Sequence, residues 1–263
     1  MKKFILIAGP CLIEDEETAL AIGTHVKGIC ERLNIHYVFK GSFKKANRTS
    51  LDSKMGIGDI EALEILKRVG EKLGVETITD IHESTDATLA AGYVDHLQIP
   101  AFLCRQTELL LAAGETGKGI NIKKGQFLSP EAMKFPLEKV QSTGNKNVWL
   151  TERGVTFGYS ELIVDATAIA RLKEHGVPVI MDCTHATQKP NRTVGTTGGD
   201  PAMIETLALA AAATGVDGLF IETHPDPKSA GSDSATMLQM DKLEKVLERV
   251  MIMHEAHKLA YGL

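Results

Sequence analysis

One feature constrains this chain more than any other. Short apolar, β-branched runs give way to longer segments of helical period, cycle after cycle, from one end to the other. The runs that predict strands are Phe4 to Ala8, Tyr37 to Lys40, Val75 to Thr79, His96 to Ile99, Gly119 to Lys123, Val148 to Glu152, Pro178 to Asp182 and Gly218 to Glu222. Between them, Asp59 to Leu73 carries Ile60, Leu63, Leu66 and Val69 as an apolar stripe. Leu243 to Met251 carries Leu243, Val246, Leu247 and Val250, so both segments predict amphipathic helices. Gly74, Gly117, Gly176 and Gly215 each follow a helical segment and precede a strand, where a left-handed cap is expected. A doubly wound open sheet would alternate in the same way. Evenly spaced units that use all 263 residues favour closure into a (β/α)8 TIM barrel. No Pro-rich stretch, low-complexity tract or charge run divides the chain, so residues 1–263 are expected to form one domain.

A formal net charge of −5 gives no global attraction for nucleic acid or an anionic membrane, so an anionic ligand must be held by local Lys and Arg. Cys11, Cys30, Cys104 and Cys183 make no CxxC pair, which points to a reducing compartment, the cytoplasm. Cys30 falls in a helical stretch and Cys183 in a strand interior, both core positions, while Cys104 fits either role. The N-terminal MKKFILIAGP has an apolar run too short for a signal peptide. There is no GxGxxG after a strand, no GxxxxGK[ST] and no GxSxG, so nucleotide binding and serine hydrolysis have no fingerprint here.

In such a barrel the active site is built on the segments that follow the strands. Read in order, those strand ends carry Cys11; then Lys40, Lys45, Asn47 and Arg48; then Asp80 and His82; then Gln98. They continue with Lys123, Lys124 and Gln126, then Glu152 and Arg153, then Asp182 and His185, and last Glu222 and His224. Two constellations stand out. Cys11, His185, Glu222 and Asp233 follow strands 1, 7 and 8, which become neighbours on closure. A thiolate, an imidazole and two carboxylates suit a divalent Zn, Fe, Mn or Co ion. The same residues also fit a buried thiol, a hydrogen-bonded histidine and solvated acids, and the pattern alone leaves both open. The second constellation is basic: Lys40, Lys45, Arg48, Arg105, Lys123 and Arg153 share one mouth. Cations so gathered would repel unless anions fill the space, which points to phosphorylated substrates. The run Gly195 to Gly199 precedes a helix expected near Pro201 and reads as a phosphate-cradling loop or a lid, the lid being favoured.

The strings IAGPCLIE, FKGSFKKANRTS, TDIHES, QIPAFLCRQTELL, NIKKGQFLSP, LTERG, DCTHATQKP, ETHPDP and SDSATML run from near the N-terminus to Leu238. Together they resemble the successive motifs of the 3-deoxy-D-manno-octulosonate 8-phosphate synthases. The resemblance implies a TIM-barrel homotetramer that joins phosphoenolpyruvate to D-arabinose 5-phosphate in lipopolysaccharide biosynthesis. It implies Lys40, Lys45, Lys123 and Arg153 around phosphoenolpyruvate, with Gln98 and Ala101 at the pocket wall. It implies Asn47, Arg48 and Thr49 against arabinose 5-phosphate, Asp80 near the sugar's polar end, and Arg105 reaching a neighbouring subunit's sugar phosphate. Lys45, Asn47, His185 and Asp233 are the implied catalytic residues. Cys11, His185, Glu222 and Asp233 fall on the ligand positions of the metal-dependent branch, with Cys11 deciding, since the metal-independent branch carries Asn after Gly-Pro. Gly125, where some relatives have Pro, and the composition of 189–199 depart from the family pattern. The rival 3-deoxy-D-arabino-heptulosonate 7-phosphate synthases typically read Lys-Pro-Arg-Thr-Ser where this chain has Lys-Ala-Asn-Arg-Thr-Ser at 45 to 50. A non-catalytic sugar-phosphate-binding barrel would lack a ligand or substrate cation, and none is missing.

Overall fold

The computed structural model describes residues 3–46, 55–193, 196–232 and 234–262, without the side chains of 190–197. Eight parallel strands form the barrel: β1 (Ile5–Gly9), β2 (His36–Lys40), β3 (Glu76–Asp80), β4 (His96–Ile99), β5 (Gly119–Lys123), β6 (Val148–Glu152), β7 (Val179–Asp182) and β8 (Gly218–His224). Each pairs with the next, and β8 returns to β1 with Ile5 opposite Gly218 and Gly9 opposite Glu222, so the sheet closes. The expected strands agree to within one or two residues at each end.

The helices that follow the strands are α1 (Glu16–Leu33), α2 (Asp59–Leu73), α3 (Ser84–Ala90), α4 (Thr107–Glu115), α5 (Lys134–Ser142), α6 (Ala168–Lys173), α7 (Ile204–Ala213) and α8 (Leu243–Tyr261). Asp15 starts α1 by accepting from the Thr18 N–H at 2.7 Å. Gly74, Gly117, Gly176 and Gly215 all have positive φ, as the caps require. Helix α8 runs ten residues past the expected Met251, because its C-terminal half is only partly covered and carries no apolar stripe to read. The stripe of α2 also differs: Ala62, Leu63, Ile65, Leu66 and Val69 are buried, while Ile60 is 47% exposed. Among the described residues, no helix is long and apolar enough to cross a membrane.

Strand side chains alternate between the barrel interior and the layer of helices. Ile7, Val38, Ile78, Trp149, Ile180 and Phe220 pack as one interior layer, separate from the larger core between strands and helices. Two residues further along the same strands come Lys40, Asp80, Thr151, Asp182 and Glu222. The two-residue period therefore sets a polar layer on top of the apolar one, at the C-terminal mouth. Two residues before Val38 and Ile78, His36 and Glu76 close the opposite end together with His96 at the start of β4, with both imidazole Nε2 atoms near Glu76 Oε2 at 2.9 and 3.1 Å.

Three additions sit at the C-terminal mouth: a hairpin of Val155–Phe157 with Glu161–Ile163, a second of Gln188–Thr193 with Thr196–Gly199, and Leu238–Gln239 alongside the end of β8. Thr196–Gly199 of the glycine run thus forms the second arm of a hairpin that leads to a turn at Pro201–Met203 before α7, while Gly195 lies outside the described residues. Barrel closure depends on tight approach at Gly9, where a Cβ would lie 2.0 Å from the Lys40 carbonyl oxygen, a backbone atom that cannot swing aside. Gly9→Ala is expected to cost about 1–3 kcal/mol or more. Urea denaturation measures it, and a loss under about 0.5 kcal/mol would show that β1 and β2 can part here freely.

Candidate active site

The polar layer is one connected network. Thr151 Oγ1 donates to Asn121 Oδ1 at 2.6 Å, and Asn121 Nδ2 donates to Gln98 Oε1 at 2.9 Å. Gln98 Nε2 in turn donates to Asp80, which also accepts from Ser42 Oγ. Lys40 Nζ donates to Ser42 Oγ at 3.0 Å, to the Cys11 carbonyl at 3.0 Å and to Glu222 Oε1 at 2.7 Å. Glu222 Oε2 lies 3.7 Å from His185 Nε2, and the ring's Nδ1 lies 2.9 Å from Asp182 Oδ2. Asp182 also accepts from Lys123 Nζ at 2.8 Å and from the backbone N–H groups of Thr184 and His185. Lys123 Nζ stands 3.8 Å from the centre of the Phe220 ring.

The electrostatics follow from burial with pairing. Burial alone would drop the Lys40 pKa, but Glu222 and Asp80 outweigh it and raise it, so the ammonium stays charged. Burial pushes Asp80 and Asp182 upward. Lys40, Lys45 and Lys123 overcome that at Asp80, and His185 and Lys123 at Asp182, holding both carboxyls well below the usual range. Lys124 is different: burial dominates over Glu152, 3.5 Å away, and lowers its pKa. Its ammonium tethers the carbonyls of Leu128 and Gly154 at 3.2 and 3.3 Å.

The clustered cations are partly paired within the mouth itself. Lys40, Lys123 and Lys124 each face a buried carboxylate, so part of the positive charge at the mouth is balanced there among the described residues. Arg153, buried, donates from Nη2 to Gln188 Oε1 at 2.7 Å. Ala101 and Gln98 are buried at the end of β4, and the side chain of Arg105 is exposed at the rim. Lys45 is half-buried beside this layer, its N–H donating to the Met55 carbonyl at 2.8 Å. Asn47, Arg48, Thr49 and Asp233 lie outside the described residues.

The strands carrying the expected metal ligands are neighbours, β7 beside β8 and β8 beside β1, and Cys11 is buried just past β1. Among the described residues no three His, Cys, Asp or Glu side chains assemble closely enough to hold a metal ion. The His185–Glu222 pair does assemble. Asp182 engages Nδ1 and turns Nε2 toward Glu222, the orientation a histidine ligand needs, so this pair supplies two of the expected donor types side by side. The other thiols are core groups. Burial pushes Cys30 up to about 12 and raises Cys104 and Cys183 as well; Cys183 sits just past β7, not within the strand. A side chain at Gly125 would press on Phe127 and on Cys104 Sγ, which accounts for glycine there. Ser42, Asn121 and Thr151 join the polar layer, and sequence reasoning named none of them. Asn121, polar between Ile120 and Ile122, was the available signal.

The chain matches a family model described as the DAHP synthetase I family over residues 1–258. It is 50% identical over 246 residues to a 2-dehydro-3-deoxyphosphooctonate aldolase of Chelativorans sp., covering 94% of this chain and 89% of that protein. Similar matches are the proteins of the same name from Cyanothece sp., 47% identical with 96% and 93% covered, and from Koribacter versatilis, 47% identical with 97% and 92% covered.

Proposed function

The chain belongs to the DAHP synthetase I family and groups there with the 2-dehydro-3-deoxyphosphooctonate aldolases, and on that premise we propose the barrel mouth as the seat of its chemistry. The enzyme condenses phosphoenolpyruvate with D-arabinose 5-phosphate and water, giving 3-deoxy-D-manno-octulosonate 8-phosphate and inorganic phosphate in lipopolysaccharide biosynthesis. The observation that carries the site assignment is the chain Lys40–Glu222–His185–Asp182–Lys123, buried except at His185. It places fixed cations and an oriented imidazole around one opening, where developing charge would be met without reorganisation.

C3 of phosphoenolpyruvate bonds to C1 of the aldehyde, whose oxygen takes a proton. Water adds at C2, and phosphate leaves with C–O cleavage. In this reading Lys40, Lys45, Lys123 and Arg153 hold phosphoenolpyruvate, with Gln98 and Ala101 lining its pocket. Asn47, Arg48, Thr49 and Asp80 receive the sugar phosphate. Lys45, Asn47, His185 and Asp233 take part in the reaction itself. Cys11, His185, Glu222 and Asp233 would hold one divalent Zn, Fe, Mn or Co ion, which when bound supplies Lewis-acid polarisation of the aldehyde or of water. Asp182 keeps His185 in the tautomer that leaves Nε2 available.

Residues 1–263 act as one catalytic domain, and the protein works as a homotetramer. The large apolar side chains exposed near the mouth, Phe102, Phe127, Phe157, Tyr159 and Ile163, support this, and in this reading the exposed Arg105 reaches a neighbouring subunit's sugar phosphate. Charged sugar phosphates do not cross a bilayer unaided, so the enzyme belongs with them in the cytoplasm. The test is phosphate release from phosphoenolpyruvate with arabinose 5-phosphate and with erythrose 4-phosphate in parallel, after chelation and after adding back a divalent ion. Activity with the pentose phosphate alone, lost on chelation and restored by metal, is expected. Activity that survives complete metal removal would overturn the ligand assignment, and preference for erythrose 4-phosphate would overturn the substrate.

A further inference from the structure

Lys44 lies outside the polar layer and touches none of it, yet it sits where three site-bearing segments meet. Its Nζ donates to Asp86 Oδ1 at 2.6 Å and lies 3.7 Å from Asp59 Oδ2 at the start of α2. Asp86 is buried, and its other oxygen accepts from the backbone N–H groups of His82 and Glu83 at 2.9 and 3.1 Å. Asp86 and Glu83 together make the capping box that starts α3. One carboxylate therefore fixes the segment just after Asp80 and, through Lys44, the segment that carries Lys45.

The stem of that second segment is closed by the Lys45 N–H donating to the Met55 carbonyl, four residues before Asp59. Lys44 thus ties both ends of 45–58 to the cap of α3. A pair this little exposed is screened far less than a surface ion pair. Burial raises Asp86 and lowers Lys44, but each partner's charge reverses the shift on the other, so both stay ionised. Lys45 acts electrostatically on Asp80, Lys40 and His82, so a displacement of its segment is felt across the mouth.

We propose that Lys44 and Asp86 form a positioning pair, which holds Lys45 against Asp80 by clamping the segment after β2 to the segment after β3. The proposal rests on the reading that Lys45 binds phosphoenolpyruvate. It is specific to this pair: Lys44 contacts no substrate and acts only through where it holds its neighbour.

The test is a cycle of Lys44→Met, Lys45→Ala and the double variant, read as the dissociation constant of phosphoenolpyruvate by titration calorimetry and as kcat/KM, with a thermal melt of each. Lys44→Met is expected to weaken phosphoenolpyruvate binding about tenfold in the parent and to add nothing once Lys45 is alanine. Lys44→Arg, which keeps the ion pair, is expected to stay within about twofold of the parent. Should Lys44→Met fail to fold, Asp86→Asn replaces it: the amide oxygen still caps His82 and Glu83, the charge facing Lys44 is gone, and the same loss is expected. Parent-like binding by Lys44→Met, or an equal loss in both backgrounds, overturns the clamp while leaving Lys45 in its assigned role. Parent-like binding by Lys45→Ala overturns the Lys45 reading, and the clamp falls with it.

Discussion

Replacing Lys40 with methionine is expected to destabilise the fold by about 3–5 kcal/mol and to remove measurable turnover. Methionine matches the length of the lysine but carries no charge. Lys40 is 1% exposed and Glu222 is wholly buried, with Asp80 Oδ2 3.8 Å from the same ammonium. Removing the ammonium takes from Glu222 its buried salt-bridge partner and from Asp80 one of its cations, and it also frees the Cys11 carbonyl and Ser42 Oγ from their donor. The cost comes from what is left behind more than from the bond removed. Pairing Lys40→Met with Glu222→Gln should therefore recover a large part of the stability without recovering turnover, because the mouth would then lack both a proposed substrate cation and a proposed ligand. Urea denaturation of the four corners of the cycle, with phosphate release on each, separates the two effects. A single variant that loses less than about 1 kcal/mol would mean that the Glu222 charge is balanced by some other group.

The barrel was legible because its signals are local. A β-branched run ending in Lys, Asp or Glu marks both the strand and its C-terminal end, and the two-residue period then sends Lys40, Asp80, Asp182 and Glu222 inward above Val38, Ile78, Ile180 and Phe220. The α2 stripe went astray for a geometric reason. A strict step of three residues advances about 300°, so Ile60, Leu63, Leu66 and Val69 spread over about half the helix circumference. The buried face centres on Ala62, Ile65, Leu66 and Val69, which leaves Ile60 on the far side. The site was legible as a roster and illegible as a circuit. That Lys40 pairs with Glu222, 182 positions away, and Lys123 with Asp182 follows only from closure and register, and the same holds for Ser42 on Asp80 and Thr151 on Asn121. The sequence shows which groups stand at the mouth; the charge each one carries depends on partners that no window of sequence contains.

Asp182 is where those partners matter most, and Asp182→Asn is expected to lower kcat by about 10²–10⁴ with only a modest loss of stability. Asparagine is isosteric, and its one carbonyl oxygen can still accept from the N–H groups of Thr184 and His185, so the turn after β7 should survive. The other position would present an NH₂ to Lys123 Nζ and to His185 Nδ1, where a carboxylate oxygen now lies at 2.8 and 2.9 Å. Two donors then face Lys123, and the imidazole is driven to accept at Nδ1 and carry its proton on Nε2, the atom now turned toward Glu222 Oε2. A protonated Nε2 cannot ligate a metal, so the same change should weaken divalent-ion binding by about 10–100-fold. Two measurements check this separately: turnover at saturating metal and substrates, and metal affinity by titration of the chelated protein. Loss of turnover that excess metal restores would place the whole effect on the ligand. Loss that persists at saturation would show that Lys123, released from its carboxylate, no longer stands where the reaction needs it. Parent-like values in both would remove Asp182 from the mechanism.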